Sequence, residues 1–230
     1  MKILGIDTSG YTNAIGVTSD SGILADLSFD ARTNSLEQIV DNIDKALESA
    51  GLTLEDIEGI GVGLGPGSWT GIRVGVTTGK ILAFSSGKPV GGISTLEALA
   101  YPVRDQSAQI VSVIGAGTGA NVYAAFYQTG GENLGMTGDY FFGDIGELLR
   151  MITEPTVLVV SGGDTYKYII NEKTGHKVVE ANPNGAIVAL MAGKRFQNGD
   201  ADDALSLTPL YLKESTAKAY VNKYISKNKD

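Results

Sequence analysis

Lys2-Ile3-Leu4-Gly5-Ile6-Asp7-Thr8-Ser9-Gly10 is the stretch from which the fold of this 230-residue chain is read. A short apolar run ends in a carboxylate and then in small, turn-forming residues, the pattern of a strand feeding a tight turn. Working outward, Asn13–Thr18 and Ile23–Phe29 read as two more strands, with Asp20-Ser21-Gly22 as the hairpin turn. Leu36, Ile39, Val40, Ile43, Leu47 and Ala50 then recur at helical spacing. Asn34 with Glu37 predicts a capping box for that helix, and Gly51 ends it. Gly59–Leu64 is a fourth strand, Thr70–Ser86 a second helix and Lys88–Ile93 a fifth strand. Ser94-Thr95-Leu96-Glu97 predicts a second capping box, opening a third helix. The order is βββαβαβα.

The second half repeats that order without repeating the residues. Ile110–Ile114, Val122–Tyr127 and a weaker Met136–Phe142 are strands, and Asp144–Ile152 is a helix. Thr156–Val160 is a strand, Thr165–Asn171 a short helix and Lys177–Val179 a short strand; a last helix runs from Asn182-Pro183-Asn184 to about Gln197. Pro102 and a polar stretch at Tyr101–Gln106 mark a boundary. The expected organisation is residues 1–103, residues 104–212 and a basic tail at 213–230. A duplicated βββαβαβα order predicts an α/β protein with mixed sheets, the actin-like ATPase (ribonuclease H-like) architecture. In that architecture the turn after the first strand points N–H groups at phosphate. Asp7, Thr8, Ser9, Gly65, Gly67 and Ser68 are therefore a candidate weak nucleotide or phosphate site. A hairpin start without a ligand accounts for the same turn.

Composition removes several chemistries. Cysteine is absent and His176 is the one histidine, which rules out disulfides, thiolate sites and two-histidine zinc motifs. The net charge of −8 makes the chain a poor nucleic-acid binder as a whole. The exception is the end: Lys213 to Asp230 holds five lysines against Glu214 and Asp230. No secretory leader is expected, because Asp7 interrupts the first apolar run. The uncharged stretch Gln106–Gly131 is too polar and glycine-rich to be a membrane span. A cytoplasmic location is expected.

Phosphate-loop motifs fail at particular positions. A Walker loop at Gly79-Lys80 would need glycine at Val74 and Ser or Thr at Ile81; dinucleotide spacing would need glycine at Thr70. A nucleophile elbow on Ser68 would need glycine at Pro66. Nothing assembles a nucleophile, a base and an oxyanion hole, so no catalytic residue, metal or cofactor is assigned. The stronger feature is a ladder, Gly71, Gly75, Gly79 and Ala83, along the second helix. Each interior glycine costs about 1 kcal/mol relative to alanine, so three require a packing reason. Close packing inside the molecule is one; a docking face for another polypeptide is the other.

Gly65-Pro66-Gly67-Ser68-Trp69-Thr70-Gly71-Ile72-Arg73-Val74-Gly75 resembles the GPGSFTGLRIG hallmark of the TsaB (YeaZ) family. Ile6-Asp7-Thr8-Ser9, Ser94-Thr95-Leu96-Glu97-Ala98-Leu99 and Pro209-Leu210-Tyr211-Leu212-Lys213 are similar to further family segments. The resemblance implies an actin-like fold and a noncatalytic accessory role in threonylcarbamoylation of adenosine in tRNA. It implies pairing with a TsaD-type enzyme through helices of the first domain, support from a TsaE-type ATPase, a homodimer when alone, and tRNA contact that is indirect or weak. On that basis Leu36, Ile39, Val40, Ile43, Gly71, Arg73, Gly75, Gly79 and Ala83 are the expected docking residues, with Arg73 paired to an acidic group. Where the family shows Asp-Ala-Arg-Arg before a Val-Tyr pair, this chain has Gly115-Ala116-Gly117-Thr118 before Val122-Tyr123. The competing readings are an ATP-dependent phosphotransferase of the same superfamily and a free-standing homodimeric binding module.

Overall fold

Two five-stranded mixed sheets organise the computed structural model. It describes residues 1–30, 36–117, 119–130, 133–162, 166, 170 and 175–213. The first sheet contains β1 (Ile3–Asp7), β2 (Thr12–Ser19), β3 (Gly22–Asp30), β4 (Gly59–Gly63) and β5 (Val90–Ile93), in the order β3-β2-β1-β4-β5. The second contains β6 (Gln109–Gly115), β7 (Asn121–Gly130), β8 (Asn133–Asp144), β9 (Thr156–Ser161) and β10 (Lys177–Glu180), in the order β10-β9-β6-β7-β8. In each, an antiparallel meander joins parallel strands reached by crossovers, so the repeated element order is also a repeated topology.

The helices described over their full length are α1 (Ile39–Ser49), α2 (Trp69–Ser86), α3 (Thr95–Ala100), α4 (Ile145–Met151) and α5 (Gly185–Gln197). A 3-10 turn, Leu36–Gln38, precedes α1. The capping box expected at Asn34 and most of the helix expected over 165–171 lie outside the described residues. Ser68 caps α2 through the N–H of Gly71 (3.2 Å), and Gly87 closes it in the left-handed region (φ 64°). Asn184 caps α5 through the N–H of Ile187 (2.9 Å).

Pleating decides what each face of the first sheet carries. Leu4, Ile6, Ile15, Val17, Ile60 and Val62 point to one side and form a core with α1 and α2. Gly5, Gly16, Gly59, Gly61 and Gly91 meet α5 on the other side, where a Cβ at Gly5 or Gly16 would collide with the α5 backbone. Side chains alternate across a strand, so glycine at every second position makes a groove in which a helix can lie close. The sequence reading grouped this last helix with the second half, yet it lies on the first sheet. α3 makes the converse exchange, with Leu96, Leu99 and Ala100 packed on Ile110, Ala125 and Tyr127 of the second sheet.

After α5 the chain stays with the first sheet. Arg195 donates to both carboxylates of the following turn, Nε to Asp200 at 2.7 Å and Nη1 to Asp202 at 2.8 Å, and Nη1 also reaches the Gly92 carbonyl (2.8 Å). These carboxylates hold the guanidinium's pKa well above its usual value. Asp202 in turn accepts from the Gly92 N–H (2.7 Å). Lys80 of α2 donates to the carbonyls of Leu205 (3.2 Å) and Leu207 (2.7 Å), and the Leu210 N–H donates to the Leu64 carbonyl (2.9 Å). Residues 200–211 thus form a strap along β5 and α2.

Candidate functional site

The turn after β1 and the loop before α2 come together as the sequence reading expects, but they bond to each other. Asp7 is fully buried. Its Oδ1 accepts from the Ser9 N–H (2.9 Å) and the Ser9 hydroxyl (2.6 Å), and its Oδ2 accepts from the Thr95 hydroxyl (2.9 Å). Thr95 Oγ1 also accepts from the Gly65 N–H (3.2 Å), and the Ser68 N–H donates to the Ser9 carbonyl (2.7 Å). Thr8 donates to the Gly71 carbonyl (2.6 Å). Burial pushes the Asp7 carboxyl above the usual carboxylate range, against the hydrogen bonds from Ser9 and Thr95 that pull it down. Both carboxylate oxygens are occupied, and the N–H groups of Ser9, Gly65 and Ser68 are spent on the protein itself. In this arrangement the buried Asp7, Thr8, Ser9 and Gly65, with the half-buried Gly67 and the exposed Ser68 at the rim, form a clasp that joins β1, the α2 loop and α3.

Thr95 is the clasp member that sequence reasoning missed. The spacing at 94–97 predicts a capping box, but Ser94 at the N-cap makes no side-chain cap bond, and Thr95 turns its hydroxyl to Asp7. The signal lay in pairing the Ser-Thr at 94–95 with Asp7, which local spacing does not reveal.

The glycine ladder requires a correction. Gly71, Gly75, Gly79 and Ala83 are all buried. A Cβ on Gly71 or Gly75 would run into Thr8, and one on Gly79 into Val62. The ladder lets α2 sit close to β1 and β4, so the chain's own sheet fills the groove expected for another polypeptide. Ile39 and Ile43 of α1 are likewise in the core, at 5% and 4% exposure. The side chain of Leu36 lies outside the described residues.

The outer faces of the same two helices remain. Arg73, Thr77, Ile81 and Phe84 follow one another at helical spacing on α2, and all are exposed. Ile81 is 60% and Phe84 67% exposed, and Val40 on α1 is 55% exposed. Arg73 makes no ion pair among the described residues, so its expected acidic partner is not found there. Along α1 and the 3-10 turn before it, the exposed Glu37, Asp41, Asp44 and Glu48 give an acidic stripe. α1 and α2 cover the same face of the first sheet, so these features share one side of the molecule.

A pocket of about 500 Å³ lies where α3, α5 and β8 meet, with Glu97, Tyr101, Met191, Lys194 and Arg195 among its walls. Burial raises the Glu97 carboxyl pKa, partly opposed by Arg195. His176 lies partly exposed just before β10. Among the described residues no group of three metal-ligating side chains occurs, and no helix is long and apolar enough to cross a membrane.

The chain belongs to the family described as "TsaD: tRNA N6-adenosine threonylcarbamoyltransferase", whose model matches residues 29–153. Its relatives place it with the TsaB (YeaZ) group. It is 28% identical over 227 residues to the Bacillus subtilis "tRNA threonylcarbamoyladenosine biosynthesis protein TsaB", covering 95% of this chain and 97% of that one. The Escherichia coli protein of the same name is 31% identical over 130 residues, 56% of this chain and 55% of the relative. The solved structure "YeaZ from Pseudomonas aeruginosa" superposes with a TM-score of 0.76 at 19% identity, over 91% of this chain and all of that one. The fold is the actin-like α/β architecture that the duplicated order predicted.

Proposed function

We propose that this chain is a noncatalytic subunit that supports a TsaD-type transferase in threonylcarbamoylation of adenosine in tRNA. It docks through the outer faces of α1 and α2. The observation that carries the reading is the exposed stripe Arg73-Thr77-Ile81-Phe84, with two large apolar side chains uncovered on the side that also presents Val40. Exposed apolar groups grouped on one face mark association surfaces. The acidic stripe of α1 calls for basic groups on the partner, and Arg73 for an acidic one. A TsaE-type ATPase joins the assembly, and a second copy of this chain occupies the same face when the enzyme is absent. The phosphotransferase alternative gains little from Asp7 alone, which is fully buried and accepts from Ser9 and Thr95.

Mixing with a TsaD-type protein and measuring the mass of the complex tests the reading. Phe84→Asp with Ile81→Asp is expected to abolish the complex and to leave the thermal midpoint within a few degrees of the parent. A complex of unchanged mass and affinity with the folded double variant overturns the α2 face.

A further inference from the structure

Glu97 is the member of the Ser94–Glu97 motif that the fold leaves unused. Its spacing predicts a bond back to the start of α3, yet among the described residues no hydrogen bond reaches its carboxylate. It is half-buried in the wall of the 500 Å³ pocket between α3, α5 and β8. Burial lifts its carboxyl above the usual range, as expected of an acid that has lost water without gaining a donor.

A second polar group at the same end of the pocket is in a similar condition. Tyr127 of β7 is 1% exposed and packs with Leu134, which lines the pocket. Its hydroxyl has the Ser94 hydroxyl as a neighbour, but neither oxygen makes a hydrogen bond of ordinary geometry. It lies near enough to Glu97 for that charge to help raise its pKa. A buried polar group without a partner is costly, so this end of the pocket calls for a ligand that supplies hydrogen bonds.

The charges around the pocket decide the sign of that ligand. All five N–H groups of Arg195 are already directed at Asp200, Asp202 and the Gly92 carbonyl. Lys194 lies 5.3 Å from the centre of the Tyr101 ring. An anion entering here would meet a guanidinium with no donor left. A cation would meet an acceptor with no donor yet, in a neighbourhood where Glu97, Asp200 and Asp202 outnumber Lys194 and Arg195. Ile93, Leu134 and Met191 supply apolar wall. An apolar cavity with a few convergent polar groups and a perturbed acid is the ordinary form of a small-molecule site.

We propose that this pocket binds a small organic cation, a primary ammonium on an apolar body, with the ammonium donating to Glu97 and the body lying on Ile93, Leu134 and Met191. The pocket is on the α5 side of the first sheet, and α1 and α2 cover the other side. The proposal therefore stands or falls separately from the docking face.

The full chain is titrated by calorimetry with 2-phenylethylamine and, separately, with 2-phenylethanol and 3-phenylpropanoate. The amine is expected to bind at one site per chain, and the alcohol and the acid at least about 10-fold more weakly. Glu97→Gln keeps the shape of the side chain and should weaken the amine roughly 10- to 100-fold while leaving the alcohol unchanged. Leu134→Trp fills the cavity and should weaken amine and alcohol alike. Both variants should still form the complex with a TsaD-type protein at unchanged mass. No heat with the amine at roughly millimolar concentration overturns the proposal. So does amine binding that is equal in the parent and in either folded variant. Loss of the TsaD-type complex in Glu97→Gln would make the pocket part of a protein interface and would also end the proposal.

Discussion

Asp7 shows how a residue typical of phosphate sites can serve the fold instead. Its carboxylate is held by Ser9 and Thr95 without solvent, and burial raises its pKa above the usual 3.8. A carboxyl whose folded pKa is raised contributes stability that is fully present below its unfolded pKa and is lost as pH rises through the folded value. The difference between parent and Asp7→Asn isolates that contribution. The parent's urea midpoint should fall relative to the Asn variant as pH climbs from below 3.8 through the raised value; a parallel pair of curves would refute it. Asp7→Ala removes the acceptor altogether, leaving the buried Ser9 N–H without its partner and the Ser9 and Thr95 hydroxyls only each other at 3.2 Å, a loss of about 2–4 kcal/mol by chemical denaturation. The reason Thr95 escaped the sequence reading is also a residue-scale one. Asp7 and Thr95 are 88 positions apart, and nothing in either neighbourhood marks the other as its partner.

Among elements, α2 and α5 use glycine in opposite ways. α2 carries its glycines on the helix and leans them on Thr8 and Val62; α5 rests on glycines that belong to the strands. Gly79→Leu is therefore expected to destabilise the protein by at least about 3 kcal/mol, more than ordinary overpacking, because the new side chain meets the fully buried Val62 and Ile60. The outcome to look for is loss of the cooperative melt, with loss of partner binding only as its consequence. Gly61→Val should act alike from the other face, since a Cβ there comes within 2.8 Å of the Ala192 Cβ and 2.9 Å of the Val188 carbonyl. Phe84→Asp belongs to the opposite case. Its side chain is two-thirds exposed, so stability should stay within about 0.5 kcal/mol of the parent while association is lost. Comparing these variants in one denaturation series separates inward from outward faces of α2.

At the scale of the molecule, the two sheets are tied together by exchange: α5 covers the first sheet, α3 packs on the second, and the strap returns along β5 and α2. Arg195 pins the turn that starts the strap. Arg195→Ala should cost about 1–2 kcal/mol from the lost charge-assisted bonds. It should also make residues 200–207 the first site of limited proteolysis, and unchanged cleavage kinetics would show that Lys80 and the β5 bridge hold the strap without it. The sequence by itself determined the described strands and helices to within a few residues and the doubling of their order, because periodicity and turn chemistry are local properties. It also held an unread clue to the α5 seat in Gly59-Ile60-Gly61-Val62-Gly63, where glycine occupies every second place. Only the tertiary structure decided which way the α2 ladder faces, that Asp7 is spent on Ser9 and Thr95, and that the last helix crosses to the first sheet. A glycine stripe announces close approach but not by whom; the identity of the neighbour is set by long-range packing, which no window of the chain contains.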